Sequence, residues 1–172
     1  KLNTENELIV EYSNEIWNTN HAANAWVKAN SNNEVNDDQY RYAFLAGKNF
    51  KLLKETYKRS NITRVLSGKQ DNADILRRSV SGIEFYDFSN EYDAISCTGN
   101  LSISSNQYQT LEQLGNQANA NLVFTMLEEN FLSLENKMVD HKVVAELYGK
   151  KLLTYESSPF ALVTYPFLGN PP

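Results

Sequence analysis

Two glutamates stand where a carboxylate could carry out acid–base chemistry. Glu15 follows one short apolar run of the chain and Glu156 ends another. Cleavage of a glycosidic bond uses such a pair: one carboxyl group, kept protonated, donates to the leaving oxygen, while the other attacks the anomeric carbon. A separation of about 5–5.5 Å between the carboxyl groups gives retention of configuration at that carbon. The two residues are therefore candidate catalytic groups.

The neighbours of Glu15 suit sugar binding. Asn14 could hydrogen-bond a sugar hydroxyl beside the reacting carbon, and Trp17 offers a flat apolar face on which a sugar ring could stack. Each residue also has a purely structural interpretation. A glutamate at a strand end is commonly solvated, and a tryptophan commonly packs in a core. Taken alone, these residues leave both interpretations open.

Other reactive residue types show no pattern that indicates a site. His21 and His141 have no second ligand at metal-binding spacing, so we expect them to have a surface or helix-face role. The run 66–69, LSGK, lacks the first glycine of a phosphate-binding loop. Cys97 lies in an apolar run with no basic neighbour, which predicts a buried, inert thiol. We therefore expect no metal and no cofactor.

Composition and charge set limits on the class of protein. The chain has 172 residues, 41% hydrophobic and 22% charged, as in an ordinary globular domain. A net charge of −5 gives no attraction to nucleic acid or to anionic lipid, and no apolar run is long enough for a membrane span. Asn61 and Asn100 begin Asn-x-Ser/Thr sequences, which arise by chance in a chain so rich in asparagine and do not decide whether it is secreted.

Strand-like and helix-like segments alternate along the chain. The predicted strands cover residues 7–13, 62–66, 92–97 and 151–155. The predicted helices cover residues 21–30, 37–59 and 72–80, and residues 107–115 and 121–148 are predicted to hold one or two more. Such alternation predicts a parallel sheet with crossover helices. The carboxyl ends of parallel strands share one edge of the sheet, so Glu15 and Glu156 could meet there.

Two segments resemble a known family. Residues 12–18, YSNEIWN, resemble the fourth-strand motif of the clan A glycoside hydrolases, retaining (β/α)8 enzymes in which an Asn-Glu pair ends strand four. Residues 148–156, YGKKLLTYE, are similar to their seventh strand, and residues 62–66 and 91–96 resemble strands five and six. The resemblance covers nearly the whole chain. It implies the C-terminal part of a TIM barrel, with residues 1–172 forming a single partial barrel domain.

The resemblance also implies roles for the candidate residues. Glu15 would be the general acid/base, Glu156 the nucleophile, and Asn14 and Trp17 substrate-binding residues. The reaction would be hydrolysis of a β-linked polysaccharide or oligosaccharide through a covalent sugar intermediate, without a cofactor. The resemblance also implies an extracellular or secreted location. We expect neither nucleic acid nor a membrane as a partner.

The chain also departs from the family pattern. Residues 97–99, CTG, stand where an aromatic residue often lines the cleft, and Ser157 and Ser158 replace two common glycines. Four strands cannot close an eight-stranded barrel, so we expect the missing half to come from another chain, a second copy or a further stretch of chain. The alternatives are a barrel-derived structural or carbohydrate-binding protein that does not hydrolyse, and an unrelated α/β interaction domain with both glutamates solvated.

Overall fold

The computed structural model describes residues 6–13, 15–32, 34–57, 61–154 and 159–160. Its strands are β1 (Leu8–Glu11), β2 (Ile62–Gly68), β3 (Ala94–Cys97), β4 (Leu101–Ser102), β5 (Lys151–Thr154) and β6 (Pro159–Phe160). Its α-helices are α1 (Ala22–Asn30), α2 (Asp38–Thr56), α3 (Ala73–Phe85), α4 (Ser105–Leu114) and α5 (Ala120–Leu147), with a 3-10 turn at Gly115–Gln117. Within these described ranges, no helix is long and apolar enough to cross a membrane.

Four parallel strands form the main sheet, in the order β1-β2-β3-β5. The four strands lie in the sheet in the same order in which they occur along the chain, and helices connect them. The predicted α/β class with a parallel sheet is therefore confirmed. The short strands β4 and β6, which were not predicted, pair with each other in a separate parallel sheet.

Four helices, α1, α2, α3 and α5, cover a single face of the main sheet. Leu66, Ile95 and Leu152 are paired across β2, β3 and β5, so their side chains point to the same face. They pack in one continuous core with side chains from α1, α2, α3 and α5. The helix residues of this core include Val27, Tyr42, Ala46, Phe50, Leu76, Val80, Ile83 and Val144. This arrangement is expected when the strand order advances in one direction, because crossovers of the same hand then lie on the same side.

The opposite face of the sheet carries the alternate residues of each strand. Glu11, Val65, Ala94 and Lys151 form one paired row on this face. A cavity of about 450 Å³ lies along the sheet and is lined by residues of all four strands, including Ile9, Glu11, Val65, Ser96 and Leu153. The sheet is therefore covered by helices on one face and borders a hollow on the other.

An ionic network lies at the amino-terminal edge of β3. Arg64 of β2 donates from Nε to Asp93 Oδ2 and from Nη2 to Asp93 Oδ1, both at 2.8 Å, and its backbone N–H donates to the same carboxylate at 2.9 Å. Its Nη1 lies 3.2 Å from Glu91 Oε2. Burial alone would raise the pKa of Asp93, but the hydrogen bonds and charge of Arg64 outweigh it and lower that pKa.

Candidate functional site

An open cleft of about 610 Å³ lies at the carboxyl edge of the main sheet. The loops that follow β1, β2 and β3 line it, together with Ser102 of β4 and Lys137 of α5. Its lining residues are Glu15, Trp17, Asn18, Thr19, Lys69, Gln70, Asp71, Thr98, Ser102 and Lys137. Parallel α/β sheets bind their ligands at this edge, so the cleft is the candidate functional site.

Glu15 lies in the cleft with its carboxylate partly exposed. Its Oε2 accepts a hydrogen bond from Asn18 Nδ2 at 3.3 Å and lies 3.3 Å from His21 Nε2. The backbone φ angles of Ser13 and Glu15 are 61° and 48°, in the left-handed region that few non-glycine residues adopt. Such strain costs about 1–3 kcal/mol at each residue and is found most often at functional sites.

Buried neighbours hold the Glu15 loop in place. Ile16 is fully buried in the core, and its carbonyl oxygen accepts a hydrogen bond of 2.6 Å from Asn24 Nδ2. Asn24 is itself 3% exposed, so this bond is protected from water. Trp17 lines the cleft and also packs against the core, so its two predicted interpretations are compatible. The sequence Glu-Ile-Trp thus places a carboxylate and an aromatic ring on either side of a buried anchor.

The far wall of the cleft comes from the loops after β2 and β3. Gln70 joins them: its Oε1 accepts from Thr98 Oγ1 at 3.1 Å and from the Asn100 N–H at 2.8 Å, and its Nε2 donates to the Asn100 carbonyl at 2.8 Å. Lys69 Nζ lies 3.2 Å from Asp71 Oδ1 on the same loop. The three hydrogen bonds of Gln70 hold the loops after β2 and β3 together.

His141 supports this wall from beneath. It is fully buried on α5, with Nδ1 2.7 Å from the Lys137 carbonyl oxygen and Nε2 2.9 Å from the Lys69 carbonyl oxygen. His141 lies on a helix, in line with the predicted surface or helix-face role, but its ring is buried rather than at the surface, since both ring nitrogens lie within hydrogen-bond distance of carbonyl oxygens inside the protein. His21 is partly exposed, and its contact with Glu15 was not foreseen.

Only part of the predicted site falls within the described residues. Glu15 and Trp17 share the cleft, whereas Asn14 and Glu156 lie outside the described residues. The described residues on either side of Glu156 are Thr154, which ends β5, and Pro159, which pairs with Leu101 of β4. Strands β1 and β5 are the two outer strands of the main sheet, with β2 and β3 between them.

Several cleft residues were not identified from the sequence. Lys69 and Gln70 directly follow β2, so their position at a strand end was a usable signal. Lys137 lies in the middle of α5, where no local pattern marks it. Cys97 is buried as predicted, and burial raises the pKa of its thiol to about 11. Within the described part of the chain, no group of three or more histidine, cysteine, aspartate or glutamate residues is placed to hold a metal ion.

Comparison with known proteins gives no relative: no family model, no curated protein and no solved structure matches the chain. We therefore infer a function from the fold, the cleft and the resemblance of the two strand-end segments.

Proposed function

We propose that the chain is the part of a retaining (β/α)8 glycoside hydrolase that carries strands four to seven. Its substrate is a β-linked oligosaccharide or polysaccharide. The observation that carries this proposal is the cleft at the carboxyl edge, where Glu15 and Trp17 lie together among amide, hydroxyl and charged side chains. Glu15 can supply one of the two carboxyl groups that sugar cleavage uses, and an aromatic ring offers a sugar a face on which to stack.

The sheet supports the barrel part of the proposal. In a (β/α)8 barrel the strands follow one another in chain order, with the helices on the outside, whereas a doubly wound sheet reverses its order and has helices on both faces. The order β1-β2-β3-β5 does not reverse, and α1, α2, α3 and α5 share one core on one face. The row containing Glu11 and Val65 would then face the barrel interior.

Glu15 acts first as the acid. Both of its described contacts involve Oε2, so Oε1 is the oxygen that delivers a proton to the leaving glycosidic oxygen. Glu156 attacks the anomeric carbon as the bond to the leaving group breaks. Glu15, now ionised, then takes a proton from water, which attacks the same carbon and releases Glu156. Asn14 binds the sugar hydroxyl beside that carbon, and Trp17 stacks on the ring.

A pair of substitutions tests the assignment of Glu15. Glu15→Gln keeps the hydrogen-bonding shape but cannot supply the proton, so hydrolysis of unactivated β-linked disaccharides by the protein with its barrel complete should fall about 10²–10⁴-fold. The loss should be much smaller for aryl glycosides whose leaving group needs no proton. Glu128→Gln, an exposed substitution on α5 outside the cleft, should leave both rates unchanged. Full activity of Glu15→Gln on the disaccharides would refute the role.

Covalent labelling tests Glu156. A fluorinated glycosyl inactivator should form a stable ester with Glu156, detected by mass spectrometry of the digested protein. A label on another residue, in a protein that still cleaves glycans, would show that the assignment is wrong. Sugar binding without any turnover, unchanged in Glu156→Gln, would instead favour the carbohydrate-binding alternative.

A further inference from the structure

A second cavity of about 240 Å³ adjoins the cleft, and we call it the side cavity. Gln70, Ser102 and Lys137 line both spaces, so the two lie side by side. The loop after β3 and the middle of α5 form its other walls. At about 30 Å³ for each water molecule, the side cavity has room for roughly eight waters, which is enough for one sugar residue.

Amide and hydroxyl side chains dominate the walls of the side cavity. Among them are Asn100, Ser104, Asn130 and Ser133. The Oδ1 atom of Asn100 is buried and has no hydrogen-bond partner among the described residues. A buried acceptor without a donor is unfavourable, so this atom marks a place for a group that can donate a hydrogen bond. A sugar hydroxyl is such a group.

The walls are held in position without a ligand. Asn130 Nδ2 donates to the Ser102 carbonyl at 2.8 Å and to Gln107 Oε1 at 2.7 Å. The backbone of Asn100 is bonded at both its N–H and its carbonyl by Gln70. A pre-formed polar cavity binds with little ordering cost, which favours a binding role over a gap in packing.

We propose that the side cavity is a subsite for the sugar residue next to the one held in the cleft. The substrate is then an oligosaccharide chain that occupies both spaces at once, with Lys137 donating to the chain at their junction. This inference rests on the proposed function, because it takes the ligand of the cleft to be a sugar.

The test is the dependence of affinity on chain length in the Glu15→Gln variant, which binds without turnover. β-1,4-linked glucose, xylose and mannose oligosaccharides of one to four residues are titrated by calorimetry. The affinity for the preferred series should rise about tenfold or more from one residue to two, which corresponds to about 1.4 kcal/mol. Equal affinity for one and two residues would overturn the subsite.

Two variants locate the gain in the side cavity. Asn100→Leu removes the unpaired acceptor but keeps the backbone bonds to Gln70, and Ser133→Trp fills the space from an exposed helix position. Each should reduce the gain from the second residue to less than twofold, while binding of the single sugar stays the same. Thr125→Trp, another exposed position on α5 that lines neither space, should retain the full gain. Thermal unfolding confirms that each variant is folded.

The outcomes separate this inference from the proposed function. In one outcome, both side-cavity variants abolish the gain in affinity from the second sugar residue, and the chain with Glu15 intact cleaves none of the sugars. This outcome supports the subsite and rejects the hydrolase. In another outcome, the chain cleaves the sugars, but both variants retain the gain in affinity from the second residue. This outcome rejects the subsite and supports the hydrolase. Binding to none of the three series rejects the subsite together with the glycan ligand on which it rests.

Discussion

Asp93→Asn tests the ionic network at the amino-terminal edge of β3. Arg64 is only 9% exposed, and Asp93 accepts two side-chain hydrogen bonds and one backbone hydrogen bond from it. Asparagine keeps the shape of aspartate but leaves Arg64 with Glu91 as its remaining carboxylate. Removing one partner of a buried pair costs about 3–5 kcal/mol. Since Asp93 is 38% exposed, water screens part of this cost, and we expect about 2 kcal/mol.

The assay is urea unfolding at pH 7, followed by circular dichroism. The midpoint should fall with an unchanged slope, and the thermal midpoint should fall by roughly 4–8 °C for a chain of this length. The folded-state pKa of Asp93 lies below the unfolded value of about 3.9. Its contribution to the free energy of unfolding is therefore present above that value and lost as the pH falls through the folded-state pKa. The difference between parent and variant should shrink below about pH 4.

Asp74→Asn is the matched control. Asp74 pairs with Arg77 at 3.2 Å, but both side chains are at least half exposed, so the cost should be below about 0.5 kcal/mol. An Asp93→Asn variant within about 0.5 kcal/mol of the parent at pH 7 would show that the pair of Asp93 and Arg64 does not stabilise the fold. A difference that stays constant from pH 7 down to the lowest pH at which the parent is folded would contradict the lowered pKa of Asp93.

Three further predictions concern the core. Gly82→Ala should lower the free energy of unfolding in urea by about 1–3 kcal/mol, because the new Cβ would lie 2.8 Å from Ala43 Cβ. An unchanged midpoint would contradict this packing of α3 on α2. Tyr42→Phe should lower the free energy of unfolding by about 1–3 kcal/mol in the same assay, because the buried Ser67 N–H loses the Tyr42 hydroxyl that accepts its hydrogen bond at 3.1 Å. An unchanged free energy of unfolding would argue against that bond. The Cys97 thiol, buried and with its pKa raised to about 11, should react with an aromatic disulfide at pH 8 only as fast as the protein opens; rapid labelling of the folded chain would disprove its burial.

The main strands could be predicted because their signal is local. Short apolar runs, separated by segments of helical spacing, indicated β2 and β3 and the parallel sheet that contains them. The strands β4 and β6 could not be found in this way. Each has two residues, and Leu101 pairs with Pro159, 58 positions later in the chain, so no nearby pattern records the pairing.

The surroundings of a side chain were much harder to predict than the helix or strand to which its residue belongs. His141 was correctly placed on a helix, but its burial depends on two carbonyl oxygens, one of them from Lys69, 72 positions away. Trp17 had a binding and a packing interpretation, and only the packing of the β1 loop against the core showed that one ring does both. Such contacts depend on which elements become neighbours, and spacing along the chain does not determine this.

By itself, the sequence determined the type and order of the main elements and the chemistry available at the strand ends, because hydrophobic periodicity and residue type are properties of short segments. The tertiary structure alone decided which polar groups share a space. Packing of α5 against the loops after β2 and β3 brings Lys137 to Gln70 and Ser102, and so creates the side cavity beside Glu15. Segments far apart in the chain become one surface only when the core that joins them has formed.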